Sequence, residues 1–289
     1  MALISTRHIK EAVYDMCKNS NYNLPADVSE AMLAASRQEK SSLGKQVLAQ
    51  LVENSHLARE QNIALCQDTG MIVVFLEIGQ EVSLTGQAIE EAINEGVRSA
   101  YQDSFFRNSI VHDPLIRDNT NDNTPAVVHY KIVPGDTVKI VVSPKGFGSE
   151  NMSALRMLKP SQGLDGVKAF VLETISTAGG NPCPPMIIGV GIGGTMEKVA
   201  LLAKEALMRP INQDHILPHV ASLEHELLAE INKLGIGPQG FGGSVSALGV
   251  NIEVYPTHIA GLPVAVNVSC HVTRHQQRIL APKNGGDLL

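Results

Sequence analysis

Four apolar runs of strand length limit what this chain can become: MIVVFLEIG (71–79), MIIGVGI (186–192), ALGVNIEVY (247–255) and LPVAVNVSC (262–270). They read as buried strands, and the longest apolar stretch is far too short to cross a bilayer. Helical patterns surround them. Ile9, Val13 and Met16 follow helical spacing, Pro25 opens a second helix through Met32 and Leu33, and Leu43, Val47, Leu48 and Leu51 mark a third. The same period predicts helices near 86–101, 164–178, 195–208 and 219–234. AVVHYKIV and DTVKIVVS flank Pro134-Gly135 and read as a hairpin. The polar segment 107–125 reads as an ordered loop, rich in turn formers but without a repeat. The expectation is an α+β fold: one compact domain over 1–289, with an N-terminal helical layer and a mixed β-sheet core.

The 289 residues are enough to bury a real core, and with 4% aromatics and no Trp that core must be aliphatic. Lys plus Arg is 23 against 29 for Asp plus Glu, and no basic block stands out, which argues against a nucleic-acid partner. The start, MALISTRHIKEAV, lacks the apolar centre of a signal peptide, so a cytoplasmic protein with no membrane partner is expected. In that compartment Cys17, Cys66, Cys183 and Cys270 are not expected to form disulfides. The lack of any CxxC pair excludes a zinc ribbon or a thioredoxin-like motif.

Three of the cysteines stand at strand–loop junctions. Cys66 precedes a polar turn and a strand, Cys183 lies in Asn181-Pro182-Cys183-Pro184-Pro185, and Cys270 ends an apolar strand before His271; Cys17 sits in a helical stretch. On spacing alone, three small buried core residues are the commoner reading. Three thiolates on one [4Fe–4S] cluster would instead leave one iron open as a Lewis acid, which suits dehydration of a hydroxy acid. Asp68, two residues after Cys66, is then a candidate general acid or base, or else a turn aspartate. Gln67 can hydrogen-bond a carboxylate, Arg107 and Arg117 can clamp a dicarboxylate, and the loop holding Gly146 and Gly148 can present backbone N–H groups to an anion. His258, twelve residues before Cys270, is a catalytic candidate or a structural strand-end residue. Gly189-Val190-Gly191-Ile192-Gly193-Gly194 matches a dinucleotide fingerprint, but no convincing second strand follows its helix, so close packing of helix on strand is preferred to a nicotinamide-dependent oxidoreductase. His215, His219 and His225 read as a solvated face.

Taken together, CQDTG, GFGSEN, NPCPPMIIGVGIGGTMEKV, GPQGFGG and LPVAVNVSCHVTRH resemble the α subunit of class I, iron–sulfur-dependent fumarate hydratases, over nearly the whole chain and in order. The L(+)-tartrate dehydratase α subunit shares most of these features. The resemblance implies a [4Fe–4S] cluster held by Cys66, Cys183 and Cys270, with Gln67 and Asp68 in the substrate pocket; Cys17 matches no ligand. Arg107, His258, Gly146 and Gly148 carry over as further substrate-binding or catalytic positions, although Phe147 stands where a third glycine is expected. GSEN resembles the fumarase branch more than the tartrate branch. Single-chain members continue into a second domain, and this chain ends at KNGGDLL. A separate β subunit in an α2β2 assembly is therefore expected, with reversible hydration of fumarate to L-malate as the activity. A non-catalytic iron–sulfur protein is the further alternative.

Overall fold

A computed structural model describes residues 2–282. Its helices are α1 (Thr6–Tyr22), α2 (Ala26–Gln38), α3 (Ser42–Gln61), α4 (Ile89–Asp103), α5 (Phe147–Glu150), α6 (Gly163–Ala178), α7 (Met196–Ala206) and α8 (Pro218–Lys233). Its strands are β1 (Ala2–Ser5), β2 (Met71–Gly79), β3 (Val82–Thr85), β4 (Val127–Val133), β5 (Val138–Lys145), β6 (Ala154–Leu158), β7 (Met186–Gly193), β8 (Ala247–Tyr255), β9 (Leu262–Ser269) and β10 (Gln276–Leu280). The expected α+β class holds, and three helices follow the short β1 at the start of the chain. The β core is two four-stranded mixed sheets rather than one, each with its own cluster of buried side chains. They lie in two compact units: among the described residues unit 1 comprises 2–24, 57–145 and 274–282, and unit 2 comprises 25–56 and 146–273.

Unit 1 is built on the sheet β10-β5-β2-β4. Ser5 caps α1 by accepting the Arg7 N–H, and Ile9, Val13, Met16 and Cys17 repeat along its buried face. Alternate residues of β2 (Ile72, Val74, Leu76) and β5 (Val138, Ile140, Val142) meet that face and the Ile93–Val97 stripe of α4. Gly96 allows α4 its approach, because a Cβ there would lie 2.6 Å from the Lys10 carbonyl oxygen.

The predicted β4–β5 hairpin does not form. β2 lies between the two strands, parallel to β4 and antiparallel to β5. The apolar β2 takes the centre, where both edges of its backbone are paired, and the more exposed β4 is left at the edge. The Pro134-Gly135 turn still reverses the chain, but it does so across the end of β2: Gly79 N–H donates to the Thr137 carbonyl at 2.9 Å and Gln80 N–H to Val133 at 2.7 Å. A Cβ on Gly79 would stand 2.4 Å from the Gly135 oxygen. Gly79→Ala is therefore expected to cost about 1–3 kcal/mol, seen as a lower urea midpoint at unchanged m value.

Unit 2 is built on the sheet β6-β9-β7-β8, with helices on both faces. Met186, Ile188 and Val190 of β7, and Val264, Val266 and Val268 of β9, pack with α6 and α8. The opposite face is covered by α7. Cβ atoms on Gly189 and Gly191 would lie 2.1 Å from the Ala203 oxygen and 2.3 Å from the Val199 oxygen. The fingerprint-like glycines thus serve helix-on-strand contact, as their sequence context favoured. No strand follows α7 directly, as the sequence suggested; the strand parallel to β7 is β8, reached only after two helices. Its Glu253 is occupied by Arg209, whose Nε donates to Oε1 at 3.2 Å. No helix among the described residues is long and apolar enough to cross a membrane.

Candidate active site

In unit 1 the segment from Cys66 to Gly70 leads into β2 as a tight turn fixed from several sides. Asp68 Oδ1 accepts the Gly70 N–H at 3.0 Å. The Tyr101 hydroxyl, buried on α4, donates within 2.5 Å of the Thr69 carbonyl and lies 2.9 Å from that of Gly70. Asn123 Nδ2 donates to the Gly70 carbonyl at 3.1 Å, and Arg274 Nη2 to the Asp68 carbonyl at 2.7 Å. Gly70 is required here: its φ is +82, and a Cβ would meet the Lys145 nitrogen at 2.7 Å. Thr69 Oγ1 donates to the Arg107 carbonyl at 3.1 Å, which brings Arg107 beside the same turn. Cys66 and Asp68 are half-buried, and Gln67 and Arg107 are exposed. Unit 1 therefore gathers four of the predicted residues on one turn and its neighbour. Arg117 is exposed, and its guanidinium reaches only the Pro114 carbonyl, 3.4 Å away.

In unit 2, Cys183 is exposed and takes a left-handed backbone, φ +56. Its neighbours hold that conformation. The Pro184 carbonyl accepts both the backbone N–H and the Nε2 of Gln239, each at 2.8 Å. The Cys183 carbonyl accepts the His271 N–H at 3.4 Å and lies 2.9 Å from His271 Nδ1, a bond that forms when Nδ1 carries the proton. Cys270, half-buried, immediately precedes that histidine, and its carbonyl accepts the Thr273 hydroxyl at 2.8 Å. The two cysteines thus stand on adjoining segments clamped by Gln239 and His271. Neither clamp residue was singled out from the sequence. Both lie inside motifs of the resemblance, Gln239 in GPQGFGG and His271 in LPVAVNVSCHVTRH, without a role of their own.

The loop with Gly146 and Gly148 forms the short α5. Gly146 has ordinary backbone angles, and a Cβ on Gly148 would still lie 3.8 Å from the Asn181 oxygen, next to the Cys183 segment. Glu150 accepts from Lys204 Nζ at 2.5 Å and from Asn267 Nδ2 at 2.8 Å, which anchors this loop to α7 and β9. His258 lies elsewhere. It follows β8, whose last residue Tyr255 pairs with Gly193 at the far end of β7, whereas Ser269, next to Cys270, pairs with Ile187 at the near end. Six residues of strand, about 20 Å, separate the two ends, so unit 2 does not bring His258 to Cys183 and Cys270. The His258 ring instead accepts the Ala260 N–H at 3.2 Å.

Cys17 is fully buried between α1 and the unit 1 sheet, and burial pushes its thiol pKa far up. The fourth cysteine is thereby removed from ligand chemistry, while the other three keep access to solvent. Among the described residues no three His, Cys, Asp or Glu side chains stand grouped to hold a metal ion: two predicted ligands adjoin in unit 2 and the third belongs to unit 1. The donor set fits an iron–sulfur cluster in kind, being three accessible thiols at the ends of rigid elements.

The chain is similar to proteins of known name. An L(+)-tartrate dehydratase subunit alpha, provisionally so named, from Methanocaldococcus jannaschii is 43% identical over 272 residues, which is 92% of this chain and 95% of the relative. The L(+)-tartrate dehydratase subunit alpha of Escherichia coli strain UTI89 is 35% identical over 270 residues, 92% of this chain and 88% of the relative. The corresponding protein of strain K12 is 34% identical over 269 residues, with the same coverage. The description of the fumarate hydratase (Fumerase) family matches residues 10–279, and the chain belongs to that family of hydro-lyases.

Proposed function

We propose that this chain is the α subunit of a [4Fe–4S]-dependent hydro-lyase that interconverts fumarate and L-malate together with a separate β subunit, in an α2β2 assembly in the cytoplasm. The observation that carries this reading is the sorting of the cysteines: the sealed one matches no ligand motif, and the three with access to solvent occupy the three motifs. Cys66, Cys183 and Cys270 would hold the cluster, which when bound supplies an open iron as Lewis acid toward the substrate's hydroxyl and carboxylate. Asp68 is assigned the proton transfer near the hydroxyl. The turn supports this, because Tyr101, Asn123 and Arg274 fix its backbone while leaving the carboxylate half-buried.

Gln67, next to Asp68 in the chain, and Arg107, whose carbonyl meets Thr69, are both exposed and are assigned to the substrate's carboxylates, Arg107 by a bidentate contact. Gly146 and Gly148 border the Cys183 segment without side chains of their own and keep room there. His258, held away from Cys183 and Cys270 within unit 2, is given no part in this proton transfer. A proton acceptor for the carbon-bound hydrogen is assigned to the β subunit, whose existence is supported by the name subunit alpha that the relatives carry.

L(+)-tartrate is the second reading, and the names of those relatives favour it. The test is an anaerobic assay of the reconstituted α–β complex with fumarate, L-malate and L(+)-tartrate in parallel. A kcat/KM for malate at least about tenfold above that for tartrate, a difference of 1.4 kcal/mol, is expected. The reverse order would assign the chain to tartrate, and turnover that survives removal of iron would overturn the mechanism.

A further inference from the structure

Arg274 is 3% exposed and has almost no partners for its charge. Nη2 donates to one backbone carbonyl, that of Asp68, and Nε is sealed from solvent without a hydrogen-bond partner. No carboxylate among the described residues pairs with its guanidinium. Its own carbonyl accepts the Ser143 hydroxyl at 3.1 Å, which fixes the backbone rather than the charge. A buried cation in this state is costly unless something brings it a negative charge, and an apolar side chain of the same length would serve stability better.

Two further basic residues border the turn through their backbones. Lys145, 5% exposed, ends β5 with its backbone nitrogen against Gly70. Arg107 stands at the other side of Thr69. The turn itself holds one acid, Asp68. The Tyr101 phenol, raised by burial first and then by Cys17, is pulled the other way by Arg274, so the charge is felt across the turn.

We propose that Arg274 is the counter-charge for an anion brought to the Cys66–Asp68 turn, and a positioning residue for that half of the site. It acts through the carbonyl it holds and through space, since Nε is covered. The anion is either a substrate carboxylate or the thiolate-bound cluster; its identity rests on the hydro-lyase reading above.

The experiment uses the full chain, wild type beside Arg274→Met and Arg274→Lys. Melting temperature is measured without ligand, succinate affinity on the iron-free protein, and iron and acid-labile sulfide after anaerobic reconstitution. The expected result is that Arg274→Met melts no lower than wild type yet either binds succinate at least about tenfold more weakly, which makes the anion a carboxylate, or takes up less iron and sulfide, which makes it the cluster. Arg274→Lys, which keeps the charge, restores most of the loss. Two results overturn the proposal: Arg274→Met melts well below wild type or fails to fold, which makes Arg274 a structural anchor, or both binding measurements stay at the wild-type values. Failure of the hydro-lyase reading shows instead in the wild type, which then binds neither succinate nor iron and takes this inference down with it.

Discussion

Asp68→Asn is expected to lower the hydration rate by about 10²–10⁴-fold, the usual size of a lost general acid or base, while leaving fold and cluster content intact. The geometry makes this substitution informative. Asp68 Oδ1 accepts the Gly70 N–H, a bond that an asparagine oxygen also makes. The Arg274 bond goes to the main-chain carbonyl and is untouched by the change of side chain. The turn should therefore keep its shape, and what is lost is the capacity to exchange a proton. Anaerobic initial rates should show the fall in kcat with little change in KM, the mark of an interaction made in the transition state. An Asp68→Asn enzyme within about threefold of wild type would reduce Asp68 to a turn residue.

Glu39→Ala is expected to cost at least about 3 kcal/mol of stability, the largest effect outside the site. Glu39 joins α2 to α3 and is 1% exposed. Its carboxylate accepts the N–H groups of Lys40 at 2.7 Å, Ser41 at 2.8 Å, Ser244 at 2.9 and 3.0 Å, and Val245 at 2.8 Å. Gly44 and Gly243 leave the space it needs, since a Cβ on either would stand 2.9 or 2.8 Å from its side chain. Removing the carboxylate strands several donors at once, that of Val245 buried and those of Ser41 and Ser244 partly so, and the penalty exceeds that of a single bond.

Burial on its own would raise the Glu39 pKa, but the N–H groups of Ser244, Ser41, Val245 and Lys40 outweigh it and hold the carboxyl below the usual range. A folded-state pKa lowered in this way stabilises above the unfolded value, near 4.5, and that stability is lost as pH falls through the folded value. The gap in denaturation midpoint between wild type and Glu39→Gln should be full at neutral pH and close on acidification. A gap independent of pH would mean that shape, not charge, is what Glu39 contributes.

Sequence pattern carried the helices and the four apolar strands because their periods report burial on one element at a time. The packing role of Gly189 and Gly191 was legible for the same reason, since a strand–glycine–helix context has a local geometric meaning. Features set by partners far along the chain were not legible. The order of β4, β2 and β5 depends on which strand competes for the centre of the sheet, and the Pro-Gly turn is compatible with either outcome. Short strands β1, β3, β6 and β10 have too few residues to show a period.

Glu39, in a charged stretch between two helices, looks like surface until Ser244, 205 residues later, meets it. His215 read as part of a solvated face, yet its side chain is nearly buried, and its backbone N–H donates to Glu224 at 3.2 Å, within a network where Arg209 pairs with both Glu224 and Glu253. His225, by contrast, pairs with Asp214 in the open. In the site, the five motifs located the cysteines and Asp68. Tyr101 lies outside them, and Gln239 and Arg274, although inside two of them, showed no role, because a single Tyr, Gln or Arg has many ordinary ones.

The central claim is that three cysteines hold the cluster and the fourth belongs to the core. Its most direct test is iron and acid-labile sulfide on the anaerobically reconstituted chain, wild type beside Cys66→Ser, Cys183→Ser, Cys270→Ser and Cys17→Ser. Loss of the cluster in the first three variants with retention in Cys17→Ser is the predicted result. A cluster that survives any of the first three substitutions, or that disappears only with Cys17, would contradict it.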